Sequence, residues 1–114
     1  MTTYTIWQVA EAVGATKMQI EKWISRGLFE PSQGVPEKRA REYVLDDVVH
    51  LAAIVSLQKF GMSVKQAASI ADAAMKSADP MAHVLKGVIG VYVNIENIRK
   101  VAKASLKRGV GQNA

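Results

Sequence analysis

The chain has no cysteine, which excludes a disulfide framework, a thiolate metal site, a cysteine nucleophile and thiol redox chemistry. Long apolar runs are equally absent: Lys, Asp, Glu or Gly interrupts every hydrophobic stretch well short of the roughly 18 residues that a membrane span requires. Aromatic residues make up 6%, and acidic side chains are outnumbered, ten against fifteen Lys and Arg. The opening MTTYTIWQVAEA has no basic segment followed by an apolar one, so no secretory leader and a cytoplasmic protein are expected. Glycine occurs eight times but never as GxGxxG or GxxxxGK[ST], the loops that cradle phosphates. His50 and His83 lie far from any HExxH-like spacing, so no metal is expected. Asp46 and Asp47, adjacent on a helix, point about 100° apart and do not converge as catalytic carboxylates would. No enzyme activity and no cofactor are expected.

What remains is 114 residues, 49% hydrophobic, enough for one ordinary core. The net charge of +5 favours a polyanionic partner. The surplus is C-terminal, since residues 81 to 114 hold six basic side chains against one acidic.

Helix starts are marked by Ser or Thr followed three residues later by Gln: Thr5 with Gln8, Thr16 with Gln19, and Ser63 with Gln66. In such a box each side chain satisfies the other residue's free backbone N–H. The first predicted helix carries Ile6, Val9, Ala10 and Val13 on one face and stops at Gly14; the second begins after Thr16, aligns Ile20, Trp23 and Ile24, and ends at Arg26 and Gly27. Between Pro31 and Tyr43, PSQGVPEKRAREY reads as a loop or small hairpin rich in positive charge. A longer helix follows from Asp46 and Asp47 to Gly61, then an Ala-rich one from Ser63 towards Asp79. Asp79 as cap with Pro80 at the first helical position predicts a short helix closed by Gly87; VIGVYVN (88–94) predicts a strand, and Asn94 caps a last amphipathic helix. Trp7 and Trp23, at helical spacing among Ile and Val, are expected in or near the core.

Two short helices around a tight turn describe a helix-turn-helix. YTIWQVAEAVGATKMQIEKWISRGLFEP resembles the opening of MerR-type winged helix-turn-helix regulators, including Gly27, Leu28 and Pro31. Arg41, Tyr43, Asp47, Val48 and Leu51, then Ile54, Leu57, Gly61, Ser63 and Val64, continue the family's pattern without gaps over roughly residues 4 to 71. The resemblance implies a mainly α winged helix-turn-helix over 1–78. The remaining residues are expected to form a helix-strand-helix dimerisation element over 79–108 and a flexible tail over 109–114, with no recognisable effector domain. It implies a recognition helix reading double-stranded DNA through Thr16, Lys17, Gln19, Lys22 and Arg26, and a wing contacting it through Lys38, Arg39, Arg41 and Tyr43. Gln suits adenine edges, and Lys suits guanine or phosphate. One departure stands out: Glu21 occupies a position where many members carry a backbone-contacting Arg, and Lys22 offers positive charge one residue on, at another azimuth.

The strand at 88–94 needs a partner, and a second copy supplies one. Val88, Val91, Val93, Ile95, Ile98 and Ala102 are therefore expected to form a twofold interface, with the last helix covering the joined sheet. The expected function is a bacterial or phage transcription regulator acting as a dimer, with DNA, a second copy and, on promoters, RNA polymerase as partners. Two other functions fit the same residues: an architectural, packaging or excisionase-like phage DNA-binding protein, and an adaptor in which Glu21 has ended DNA contact.

Overall fold

The computed structural model describes residues 2–33, 41–77, 79, 81–86 and 89–112, with backbone alone at 85, 86, 89 and 109–112. Its elements run α1 (Ile6–Val13), α2 (Lys17–Ser25), α3 (Leu45–Lys59), α4 (Val64–Lys76), β1 (Met81–Lys86), β2 (Ile89–Asn94) and α5 (Ile95–Gln112). The first two helices start as the sequence predicts. Thr5 N–H donates to Gln8 Oε1 at 2.8 Å while Gln8 N–H donates to Thr5 Oγ1 at 3.2 Å; Thr16 and Gln19 repeat the pair at 2.9 and 3.1 Å. At α4 only one arm is seen, Gln66 N–H donating to Ser63 Oγ at 3.2 Å. Gly14 ends α1 at φ 78°, a conformation costly to any residue with a Cβ, and this reverses the chain into α2 within three residues.

The start of α3 is organised by Asp47, a carboxylate only 2% exposed. Its Oδ1 accepts from the Ser32 backbone N–H at 2.9 Å and the Ser32 hydroxyl at 2.8 Å, and its Oδ2 accepts from Val44 N–H at 3.0 Å. A buried carboxylate is costly alone, but three donors and the positive end of the helix dipole offset the lost hydration. Just before α3, Tyr43 pairs with Tyr4 through N–H···O bonds of 2.8 and 3.0 Å, an isolated antiparallel bridge. The segment from Ser32 to Tyr43 is thus tied at both ends, to α3 and to the strand-like entry into α1.

One core gathers Val9, Ile20, Trp23, Val48, Leu51 and Ile54 from the first three helices with Ala71 of α4, Val93 of β2 and Leu106 of α5. Helix α5 packs back on α1 and α3. Asn94 caps it, accepting from Asn97 N–H at 2.9 Å, and it continues past Gly109 to Gln112, where a flexible tail was expected.

The C-terminal element departs from expectation in its first part. Residues 81–86 form a strand rather than a helix, and β1 pairs with β2 in an antiparallel hairpin registering Ala82 with Val93 and Val84 with Val91. Asp79 does not cap a helix; its Oδ1 accepts from Met81 N–H at 3.0 Å, an Asx turn that launches a strand. Ala82 and Val84 are buried while Met81 and His83 are exposed, the period of two that a half-buried strand needs. His83 stacks on its cross-strand neighbour Tyr92, with ring centroids 4.2 Å apart and planes 9° apart. The strand therefore finds its partner within its own chain. Val93 and Ala102 are buried in that chain's core and so are not open to a second copy, whereas Val91, Ile95 and Ile98 are half-buried against it; Val88 lies outside the described residues.

His50 of α3 meets Phe29 edge to face, with ring centroids 5.0 Å apart, and lines a cleft with Asp72 and Lys76. Its Nε2 is buried without a hydrogen-bond partner among the described residues. Burial holds its pKa below the ordinary 6.5, outweighing the opposite pull of Asp72 and Asp47.

Two stability predictions follow from these buried groups. Asp47→Ala leaves the Ser32 and Val44 N–H groups unpaired, and urea unfolding is expected to show a loss of roughly 2–4 kcal/mol. Ser32→Ala, which deletes one donor of the three, is expected to cost less. For His50, the unfolded chain takes up its proton at a higher pH than the folded one, so the folded state loses stability as pH falls below 6.5. The unfolding free energy of wild type relative to His50→Gln is expected to decline from about pH 7.5 to about pH 5. A constant difference refutes this.

Candidate nucleic-acid interface

Helix α2 is held by its inner side and presents its outer one. Ile20 and Trp23 are buried in the core, whereas Met18, Gln19, Glu21, Lys22, Ser25 and Arg26 are exposed, Met18 to 80%. The Thr16 side chain is committed to its cap, accepting from Gln19 N–H, and the Gln19 carbonyl oxygen returns the bond. Lys22 and Arg26, one turn apart, project from the outer face into solvent. The C-terminal end is closed by Leu28 N–H donating to the Trp23 carbonyl at 2.9 Å across Gly27, which turns the chain towards Pro31. The helix is thereby rigid at both ends, as a surface that must dock in register requires.

A second stripe of α2 faces the first turn of α1 and the returning arm of the wing. Trp7, Lys17, Glu21, Arg41, Ile6 and Tyr43 line a groove of about 400 Å³. Lys17 Nζ stands 4.9 Å from the centre of the Trp7 ring and 3.9 Å from Glu21 Oε1. Glu21 therefore turns towards the half-buried Lys17, and Lys22 is left on a different azimuth.

Of the wing residues, Arg41 is half-buried at the rim of this groove; Lys38 and Arg39 lie outside the described residues. Tyr43, expected to touch DNA, is only 2% exposed and belongs to the core. Burial raises its pKa, with the Arg41 charge opposing and the Glu21 and Asp47 charges adding to the rise. Its part is to fix where Arg41 stands, through the bridge to Tyr4. The two tryptophans also part company: Trp23 is buried at 5% exposure, whereas Trp7, expected near the core, is 66% exposed. The face of α1 that carries Ile6, Val9, Ala10 and Val13 is the one turned to the core, and position 7, about 100° round the helix from Ile6, falls outside it, so helical position and not residue type decides where Trp7 stands.

Six basic side chains of α5 and its approaches made the C-terminus the most positive part of the sequence. On α5 itself, Lys100, Lys103 and Lys107 are exposed, with Glu96 3.8 Å from Lys100. Arg99 instead folds back onto the start of α3 and donates to Asp46 Oδ1 at 2.7 Å. Among the described residues no three His, Asp or Glu gather as a metal site would need, and no helix is long and apolar enough to cross a membrane.

No match to the sequence was found among curated proteins. The model of the MerR HTH family regulatory protein matches residues 4–74, from the entry into α1 to the last turns of α4, leaving the hairpin and α5 beyond it. A capped pair of helices, an exposed polar face on the second and a tethered wing are what that match predicts in this span. The chain belongs to the MerR helix-turn-helix family and is a DNA-binding transcription regulator.

Proposed function

We propose that this regulator reads a specific double-stranded sequence with α2 in the major groove, and that it does so as a homodimer in a bacterial cell or on phage DNA. The observation that carries the reading is the outer face of α2, where Lys22 and Arg26 stand free beside Gln19 on a helix fixed at both termini. Lys22 and Arg26 suit guanine edges or phosphates, Gln19 suits adenine, and Arg41 at the wing base suits a backbone phosphate. Thr16 and Lys17 contribute at the first turn, where a helix N-terminus attracts phosphate. Lys38 and Arg39 extend the contact along the wing.

Dimerisation in this reading uses the outer side of the hairpin rather than the residues first expected. Met81 and Tyr92 are exposed on that side, at 43% and 68%, an apolar surface that a second copy can cover. The role is binding rather than catalysis, exerted in the cytoplasm by occupancy of the site, with RNA polymerase as a neighbour on promoters.

In vitro selection from random duplex DNA at two salt concentrations tests the function. An enriched inverted repeat with half-sites about one helical turn apart is expected, weakened by Lys22→Ala and Arg41→Ala. Each of these substitutions is expected to reduce the slope of log affinity against log salt by about 0.9, the value for one lost phosphate contact, if its role is to hold the backbone. No enrichment, with binding indifferent to both substitutions, refutes a DNA reader. Glu21→Gln provides a separate check: it removes a negative charge from the DNA face and frees Lys17, so affinity for the same duplex is expected to rise several-fold at low salt and less at high salt. An unchanged affinity would show that Glu21 lies away from the contact, and a weaker one that it contributes to the contact as it stands.

A further inference from the structure

Trp7 is a large apolar ring placed where the fold gains little from it. It is 66% exposed on the first turn of α1, whereas the other tryptophan is buried. Its orientation is nevertheless defined, because the Lys17 ammonium lies 4.9 Å from the ring centre and the ring forms one wall of the groove that Arg41 borders. Charged side chains on two different elements, the recognition helix and the wing base, thus flank one exposed indole. Trp7 thus lines the same groove as Lys17 at the start of α2 and Arg41 at the wing base.

We infer that Trp7 is a DNA-contacting residue that packs its ring on the deoxyribose of one backbone strand, with Lys17 and Arg41 taking the phosphates on either side. The inference rests on the DNA-binding reading above and adds a contact of a different chemistry to it. In an intact duplex the base faces are stacked on one another, so the apolar surface a backbone offers is the sugar. An indole suits that surface because it supplies a wide apolar area with few rotatable bonds. Lys17 remains over the ring and within reach of Glu21, so its charge is held near the groove. Glu21 forms another part of the groove lining, where its carboxylate favours the sugar over a phosphate at the centre of the groove and the phosphates at its ends.

The test uses the full chain and a double-stranded oligonucleotide carrying the enriched sequence. Trp7 and Trp23 are the two tryptophans, and the burial of Trp23 leaves Trp7 as the reporter. Saturable quenching of tryptophan emission on adding the duplex is expected, and is expected to vanish in Trp7→Phe, which keeps a ring and binding. Trp7→Ala is expected to weaken binding about tenfold at every salt concentration without changing the salt slope, since an apolar contact releases no counterions. Its thermal unfolding midpoint is expected to match that of wild type, as the ring contributes little to the core. Three outcomes overturn the inference. If Trp7→Ala binds as wild type while Arg41→Ala is weakened, the DNA reading stands and the ring is a bystander. If Trp7→Ala lowers the salt slope as a lost cation would, the ring acts by holding Lys17 and touches no sugar. If wild type binds no duplex, the DNA reading fails and the inference with it.

Discussion

The carboxylate of Asp47 is the constraint on which the DNA-facing half of the molecule depends. It is buried, it accepts three hydrogen bonds, and the donors come from both ends of the wing segment: Ser32 before it and Val44 after it. Ser32 and Val44, on either side of that segment, are thereby both held to the start of α3. Position on the chain makes one residue sufficient for this. Asp47 is the third residue of α3, where its side chain reaches back to the residue preceding the helix, and from there the preceding loop is also within range. An Asn or Glu would supply a different charge or reach, and the same three bonds would not form together.

The neighbouring Asp46 shows the opposite use of the same residue type. Rotated about 100° round the helix, it faces outward and takes the guanidinium of Arg99 at 2.7 Å. That pair is exposed and contributes at most about 1 kcal/mol. Its interest is positional, because it fastens the first turn of α3 to α5. Together with the packing of α5 on α1 and α3, it makes the C-terminal helix a wall of the same core that supports α2. The small helix-turn-helix unit would otherwise leave the outer sides of α1 and α3 uncovered, and a chain of this length has little buried area to spare.

Local chemistry was legible in the sequence wherever one residue's partners lie within one helical turn. The boxes at Thr5 and Thr16, the stop at Gly14 and the cap at Asn94 all appear as read, because each is settled by neighbours three or four positions away. The hairpin was only half legible. Met81–Lys86 carries good helix formers behind an Asp-Pro signal, and what overrides them is pairing with Ile89–Asn94 together with burial of Ala82 and Val84, neither of which is a local property. The same limit explains Trp7 and Tyr43. Residue type favours a buried Trp7 and the resemblance a DNA-facing Tyr43, and tertiary packing reverses both. The resemblance names the residues of the second helix but not the direction taken by Glu21, towards Lys17, which required coordinates.

Charge and shape divide the work of such a regulator unequally. The exposed lysines of α5 and the overall charge of +5 attract any DNA, a contribution that fades as salt rises and carries no sequence information. In the proposed reading discrimination comes from base contacts by the outer face of α2, while Arg41 and Trp7, on phosphate and sugar, hold that helix in register. Glu21 fits this division. A negative charge on the binding face lowers affinity for every phosphate backbone alike, so the penalty falls on non-specific and specific complexes together. The specific complex alone recovers it, through base contacts that only the right sequence permits. A reader with one carboxylate on its recognition helix therefore has less need for a strongly basic wing to be accurate, and more need for a wing whose base is firmly placed, which is what Asp47 and the Tyr4–Tyr43 bridge provide.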